Sequence, residues 1–368
     1  MAAGTVVEVM PDTPPALSWA DGGRTRSLPG TDADMPGLRQ YGGRCLAAEE
    51  ADVRAAPLPL FAALLGAALA GCTAEAPRPA ASPPAASPPA ASAASPAAGA
   101  VTSPTARARA ELPQGGVKIF PAYRVVAYYG TAGNGALGVL GEDHPDRMLP
   151  KLRAAAKPFA GDRKVQVAYE LIATVAQAGP GADGDYSRMI PLSRVQQYVD
   201  QARRHKVLVI LDLQPGRGDF LPQARQLERF LIQPHVGLAL DPEWRMPAGK
   251  VPGRTIGRVG AAEVNRVSDY LAGLVARHGL PEKLFVLHQF RASMLPDIGR
   301  VEKRRGLALV QHVDGFGTRA EKDATWRRLR RPRQFHLGYK LFYDEDVKRY
   351  RAADVLRFKP APELVSFQ

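Results

Sequence analysis

Short apolar runs alternate with amphipathic stretches along the last two thirds of the chain. Eight runs rich in Val, Ile, Leu and Tyr have the length of buried β-strands: Arg124–Tyr129, Val165–Thr174, Val207–Asp212, Val236–Asp241, Leu284–Gln289, Leu307–Val313, Gln334–Phe342 and Glu363–Phe367. Between them, apolar residues recur at helical spacing in Leu192–His205, Leu221–Ile232, Ala261–His278 and Arg319–Arg330. Apolar strands that alternate with helices are typical of a parallel sheet. Eight such units predict an α/β protein, a (β/α)8 TIM barrel, over residues 117–368.

The connections that enter the predicted strands differ in length from those that leave them, which favours a barrel. Helix-to-strand joins are short, whereas strand-to-helix joins such as 130–144, 176–190 and 245–260 are long and polar. A barrel builds its active site from the second set. The main alternative is an open doubly wound sheet, because Gly133–Gly138 fits G-x-G-x-x-G. Gly141 and Pro145 interrupt any helix that would follow this motif, so we predict no nicotinamide and no other cofactor.

Polar side chains gather where the predicted strands end. In a parallel barrel these ends meet at one mouth, so we expect a ligand or catalytic site there. The expected substrate-binding residues are Tyr128, Tyr129, Glu170, Asp212, Gln214, Trp244, His288, Gln289, His312, Asp314, Lys340, Tyr343, Asp344 and Gln368. The alternative is that these groups satisfy one another as a polar plug in the barrel mouth.

The fourth barrel strand carries two acids at alternate positions, Asp241 and Glu243. Residues i and i+2 share one face of a strand, so both carboxyls should point into the barrel mouth. Two neighbouring carboxylates repel, which raises the pKa of one of them and lets it hold a proton near neutral pH. We therefore expect Glu243 to act as a general acid with Asp241 as a supporting carboxylate. The alternative is an acid pair bound to Arg245 or Lys340.

At these residues the chain resembles the D-x-E glycoside hydrolase barrels, both the chitinase-like enzymes and the D-x-E muramidases. The resemblance implies that Glu243 protonates the glycosidic oxygen and that Asp241 supports it. The longer chitinase pattern is not complete, because Val236 and Ala239 stand where it has Asp. Two acids on one strand cannot flank a scissile bond. Either a substrate acetamido group attacks, or another strand supplies the second carboxylate, for which Glu170, Asp212, Asp314 and Asp344 are candidates.

Metal binding and nucleophilic catalysis are two further possibilities for the mouth residues. His288, His312 and His336 fall on successive strands and could bind zinc together with Asp212 or Asp241. No H-x-H or H-E-x-x-H pattern occurs, and His336 comes early in its strand, so we predict no metal. Nothing in the sequence supports serine or cysteine nucleophile chemistry, because no G-x-S-x-G is present.

The apolar stretch from Leu58 to Leu69 ends at Leu69-Ala70-Gly71-Cys72. It is too short for a membrane span but has the length of a signal-peptide h-region. Small residues before a cysteine resemble the lipobox of bacterial lipoprotein signal peptides. The resemblance implies cleavage before Cys72, lipid on its sulfur, and a protein tethered to the outer face of the bacterial cytoplasmic membrane. The alternative is a buried apolar helix with an incidental cysteine.

The flanking regions fit this interpretation. Residues 53–71 form the predicted signal peptide, and residues 1–52 lack periodicity, so we expect an unstructured upstream extension with translation from Val53. Residues 72–116 comprise the lipidated Cys72 and an Ala/Pro/Ser-rich linker that we expect to be disordered. The lipobox, the linker, Tyr128-Tyr129-Gly130 and Asp241–Trp244 together are similar to secreted actinobacterial lipoproteins, a likeness that implies no particular activity.

Composition narrows the set of partners. The net charge of +13 is spread along the chain without a concentrated basic run, so we predict a monomer that binds no nucleic acid. With Cys45 upstream of the cleavage site and Cys72 lipidated, the exported domain has no internal disulfide.

Two functions remain open. One is a tethered glycoside hydrolase acting on wall or extracellular polysaccharide, and the other is a non-catalytic protein that binds a glycan or another envelope ligand at the same mouth.

Overall fold

The chain folds into a closed parallel barrel with helices around it. The computed structural model describes residues 110–368. Eight of its nine strands close the barrel in the order β1, β2, β4, β5, β6, β7, β8, β9 and back to β1. The barrel strands are β1 (Tyr123–Gly130), β2 (Lys164–Ala176), β4 (Leu208–Leu213), β5 (Val236–Leu240), β6 (Lys283–Gln289), β7 (Leu307–Val313), β8 (His336–Leu341) and β9 (Leu364–Phe367). The predicted TIM barrel is thereby confirmed, and the open doubly wound sheet is excluded because β1 pairs with both β2 and β9.

The helices fill most of the connections between strands. They are α1 (Pro145–Ala156), α2 (Leu192–His205), α3 (Phe220–Gln226), α4 (Glu228–Leu231), α5 (Ala261–His278), α6 (Arg319–Leu329) and α7 (Ala352–Leu356). The connection after β6 contains only short 3-10 turns, Ala292–Met294 and Ile298–Arg300. The ninth strand, β3 (Ser187–Met189), pairs antiparallel with the last residues of β2 and lies outside the closed ring.

Two apolar cores follow from the alternation of side chains along the strands. Outward residues such as Leu211 and Leu240 pack against the helices. Inward residues such as Val125 and Ile210 fill the barrel. At the amino-terminal end of the strands, Leu112, Ile119 and Phe120 belong to this inner core and close the barrel floor. The ring of Phe120 lies 4.7 Å from that of His336, at the start of β8.

Several predictions fall on residues outside the described part of the chain. These are the extension 1–52, the signal peptide 53–71, Cys72 and most of the linker up to residue 109. Within residues 110–368, no helix combines the length and the apolar character that a membrane span requires. The lipid anchor, the extension and the linker therefore stay predictions.

Candidate functional site

The carboxyl ends of the strands carry a layer of inward-pointing polar side chains. Alternation along each strand selects one residue for this layer, because the residue two positions earlier faces the same way and belongs to the apolar inner core in seven of the eight strands. The layer consists of Tyr129, Glu170, Asp212, Asp241, His288, His312, Lys340 and Ser366. Seven of these eight residues were predicted from the sequence as mouth residues. Small side chains such as Ala127 and Ala168 lie in the core beneath them and leave room for larger polar groups.

His288 is the centre of this layer. Its Nδ1 lies 2.9 Å from Asp314 Oδ2, and its Nε2 lies 3.1 Å from Glu170 Oε1 and 3.8 Å from Asp212 Oδ1. Burial and Lys340 act to lower the pKa of His288, but the hydrogen bonds to Asp314 and Glu170 raise it well above its usual range. Without a bound cation, the imidazole is therefore charged and held between carboxylates.

The carboxylates around His288 fall into two groups. Burial acts to raise the pKa of Glu170 and of Asp314, but their hydrogen bonds to His288 lower both values, so these two side chains are ionised. Burial, with the charges of Asp241 and Glu170, raises the pKa of Asp212 to about 8. Asp212 Oδ2 accepts a hydrogen bond from the Tyr129 hydroxyl at 3.1 Å. The layer therefore holds ionised and protonated carboxyl groups side by side.

Asp241 and Glu243 lie at the rim of this layer. Strand β5 ends at Leu240, and Pro242–Trp244 forms a 3-10 turn. Within this turn the backbone amide of Glu243 donates a hydrogen bond to Asp241 Oδ1 at 3.3 Å. The pair therefore shares one turn rather than one continuous strand. Burial raises the pKa of Asp241 to about 6 and raises that of Glu243 well above its usual range, with the charges of Asp241 and Asp314 adding to the effect on Glu243. Glu243 is half-buried, whereas Asp241 is only 4% exposed, so Glu243 is the more accessible residue of the pair.

The alternative in which this acid pair binds Arg245 does not fit the observed contacts. The Arg245 guanidinium binds Glu263 and Asp219 instead, and so turns away from the barrel mouth. Lys340 is the nearer cation, because its charge lowers the pKa of both acids. Its Nζ lies 3.6 Å from the centre of the Tyr129 ring, 4.0 Å from Asp314 Oδ2, and donates to Gln368 Oε1 at 3.2 Å.

Of the other residues predicted to bind substrate, some line the mouth and some point out of the barrel. Gln214 belongs to the mouth, since its Nε2 donates to the Tyr129 hydroxyl and its Oε1 accepts from the Ala176 amide. Tyr128 and Gln289 point outward instead. The Tyr128 ring packs on Phe367 and Tyr343, and Gln289 Oε1 accepts from Gln311 beneath α6.

The aromatic and acidic side chains at the rim differ in exposure. Trp244 is 8% exposed, so little of its ring is open to a sugar. Tyr343 is 37% exposed and stacks on Phe367, and Asp344 is exposed. Tyr343 is therefore the most exposed of the expected ligand-binding aromatics, with the Arg349 guanidinium lying 4.3 Å from the centre of its ring.

Ser366 is the residue of this layer that the sequence analysis missed. Its hydroxyl lies 2.7 Å from His312 Nε2. A signal was present, because Leu364 and Ser366 alternate on β9 and Gln368, two residues further on, is a predicted mouth residue. Burial lowers the pKa of His312 to about 3, so this imidazole is neutral.

Among the described residues, Glu170, His288 and His312 also form a group that could hold a metal ion. One ligand atom from each lies within 4.8 Å of the others, and all three side chains are buried. The site can therefore supply protons, carboxylate oxygens and imidazole nitrogens. No protein-family model matches this chain, and a comparison with curated proteins finds no significant match.

Proposed function

We propose that the barrel is a glycoside hydrolase-like enzyme acting on cell-wall or extracellular polysaccharide, tethered outside the cell through lipid on Cys72. The observation that carries this proposal is Glu243, a half-buried acid at the carboxyl ends of the strands whose pKa is well above its usual range. An acid that keeps its proton at neutral pH can protonate a leaving-group oxygen. The D-x-E resemblance at Asp241 and Glu243 supports the same role.

In the proposed reaction, Glu243 donates its proton to the glycosidic oxygen while the bond from that oxygen to the anomeric carbon breaks. Asp241 holds the Glu243 amide, which fixes the turn that carries the acid. Its own charge favours the protonated form of Glu243. Asp241 therefore positions the acid and tunes it without touching the scissile bond.

A second carboxylate must come from another strand, and Asp314 is the best placed of the candidates. Glu170 and Asp212 are fully buried beneath the mouth, and Asp344 is exposed beyond it. Asp314 follows β7 and is 7% exposed, with Oδ2 held by His288 and Oδ1 without a hydrogen-bond partner. A water molecule attacks the anomeric carbon and forms the new bond to it, and Asp314 can accept the proton of that water or stabilise positive charge on the sugar.

The test uses soluble Glu111–Gln368 incubated with peptidoglycan, chito-oligosaccharides and α- and β-glucans, with products identified by mass spectrometry. We expect cleavage of one polymer class by the wild type. The variant Glu243→Gln, which keeps the shape but has no proton to donate, should lose about 100-fold or more in rate. Asp269→Asn is the matched control, because this acid lies on α5 outside the barrel with a side chain that is 72% exposed. Equal products from wild type and Glu243→Gln would refute the role of Glu243.

A second candidate is a non-catalytic barrel that binds a glycan or another envelope ligand at the same mouth. The pairing of both His288 nitrogens with Glu170 and Asp314 favours it, because an imidazole held by two carboxylates is a structural contact that needs no reaction. Under this function, wild type and Glu243→Gln bind one of the polymers equally well and neither releases products. The incubation described above therefore separates the two candidates.

A further inference from the structure

Four side chains from four different strands converge at the barrel centre, one layer below the mouth. Glu170 comes from β2, Asp212 from β4, His288 from β6 and His312 from β7. All four have no exposed surface. Because each is carried by a barrel strand rather than a loop, the cluster is held by the most rigid part of the fold.

Several polar atoms of this cluster have no hydrogen-bond partner. Glu170 Oε2, Asp212 Oδ1 and His312 Nδ1 are buried and unpaired. Asp212 Oδ1 faces His288 Nε2 at 3.8 Å, too far for a hydrogen bond. A buried polar atom without a partner costs about 1–3 kcal/mol, so several in one cluster indicate a missing ligand.

Among the described residues, Glu170, His288 and His312 have ligand atoms close enough together for a metal ion, and Asp212 lies beside this group. In a tetrahedral zinc site with bonds of about 2.0–2.1 Å, neighbouring ligand atoms are about 3.3 Å apart. His288 Nε2 lies 3.1 Å from Glu170 Oε1 and 3.8 Å from Asp212 Oδ1. His312 also offers a ligand atom within 4.8 Å of Glu170 and His288. A cation placed between these atoms would bind both His288 Nε2 and Glu170 Oε1 in place of the hydrogen bond that joins them.

The groups around the cluster would orient these side chains as metal ligands. Asp314 Oδ2 lies 2.9 Å from His288 Nδ1, which directs Nε2 inward. A carboxylate behind a histidine is the usual support of a metal-bound imidazole. The Tyr129 hydroxyl donates to Asp212 Oδ2 and leaves Oδ1 free, and Ser366 holds one nitrogen of His312.

From this arrangement we propose that the barrel binds one divalent cation of the zinc class between Glu170, Asp212, His288 and His312. Two nitrogens and two carboxylate oxygens suit zinc better than calcium or magnesium, which prefer oxygen alone. Four protein ligands without exposed surface make a closed site that stabilises the fold. The proposal reverses the prediction of no metal, and it does not depend on the hydrolase proposal.

The cation also accounts for the excess of acids inside the barrel. Among the described residues, five acids lie together at this end of the barrel, Glu170, Asp212, Asp241, Glu243 and Asp314, and the basic side chains near them are His288, Lys340 and Lys322. A divalent cation neutralises Glu170 and Asp212 directly. Lys340 and Asp314 then remain at the mouth, next to Asp241 and Glu243.

The test measures metal binding directly, with no substrate present. The full chain, purified without chelators, is analysed for metal by mass spectrometry, then stripped and titrated with Zn²⁺, with Co²⁺ as the spectroscopic probe. We expect about one equivalent of zinc per chain. We also expect the visible absorption of tetrahedral Co²⁺ and a Tm that rises by about 5 °C or more on zinc binding.

Variants locate the site. Glu170→Gln and Asp212→Asn should each weaken Zn²⁺ binding by about 10-fold or more. His336→Gln, at the opposite end of the barrel, and Glu243→Gln should bind zinc as the wild type does. No zinc in the full chain together with no Tm shift and no tetrahedral Co²⁺ spectrum would overturn the proposal, and so would unchanged binding in both ligand variants. The metal content, Tm shift and Co²⁺ spectrum of the wild type test the proposal even if a variant fails to fold.

Discussion

Lys283, at the start of β6, is a cationic side chain that is only 1% exposed. Its Nζ donates to the carbonyl oxygens of Gln233 and Val236 at 2.6 and 2.7 Å. Burial lowers the pKa of Lys283 to about 7. Two hydrogen bonds use both protons of a neutral amine, so the site suits the uncharged form.

This lowered pKa predicts that the free energy of unfolding rises with pH. Between about pH 7 and the unfolded pKa near 10.5, the folded chain has released the Lys283 proton while the unfolded chain still holds it. Stability should then increase by about 1 kcal/mol per pH unit, and this gain is absent below about pH 7. Urea unfolding at about pH 7 and pH 9 measures it. Lys283→Met should lack this increment, and an equal rise in both proteins would exclude Lys283 as the cause.

The position of polar residues at the carboxyl ends of the strands predicted most of the polar layer, because these ends meet at one mouth in a parallel barrel. This pattern placed Glu170, Asp212 and His312 at the mouth. It does not predict partners, since these depend on the stagger between strands that are distant in sequence. The contact of His288 with Glu170 spans 118 positions and has no signal in a single sequence.

At the scale of elements, a buried ion pair joins the loops after β7 and β8. Lys322 on α6 lies 3.0 Å from Asp346 Oδ1, and its Nζ also donates to the carbonyls of Gly315 and Lys340. Asp346 Oδ2 accepts from the Phe342 amide. One helix thereby fixes the ends of two strands that border the mouth.

Removal of one partner of this ion pair should destabilise the barrel strongly. Asp346→Asn leaves the Lys322 charge buried without its counter-ion, and we expect a loss of about 3 kcal/mol or more in the free energy of unfolding. Lys322→Met should cost a similar amount. The double variant should lose less than the sum of the two single losses, because no unpaired charge remains. Additive losses in urea unfolding would contradict this coupling.

Prediction of the elements succeeded where periodicity is strong. The spans predicted for α2 and α5 agree with the structure, and the stretch expected to be one helix over Leu221–Ile232 is two, because Leu227 leaves the helical conformation. The hairpin of β2 and β3 was missed, since a strand of three residues is too short for a periodic signal. The helix α1 was not predicted either; it contains Pro150, an unfavourable residue in a helix interior.

At the scale of the whole molecule, the proposed attachment through Cys72 has a direct test. In a bacterial host the full chain should sediment with membranes, whereas Cys72→Ser, which has no thiol for a lipid, should be lost from that fraction. A single acyl chain binds membranes only marginally, so a stable lipoprotein anchor needs several chains. Because Cys72→Ser carries none of them, nearly all of this variant should leave the membrane fraction. Immunoblots of the fractions measure this, with Cys45→Ser as the matched control. Equal membrane fractions for wild type and Cys72→Ser would refute lipid attachment.

The inner core at the barrel floor has a consequence for how the barrel faces its surroundings. Ile119 N donates to Glu282 Oε2 at 2.7 Å, and Glu282 N donates to Val117 O, so the chain enters the barrel at the amino-terminal end of the strands. Leu112, Ile119 and Phe120 thus lie at the closed end of the barrel. A label attached next to Leu112 would therefore sit at the end of the barrel opposite its opening.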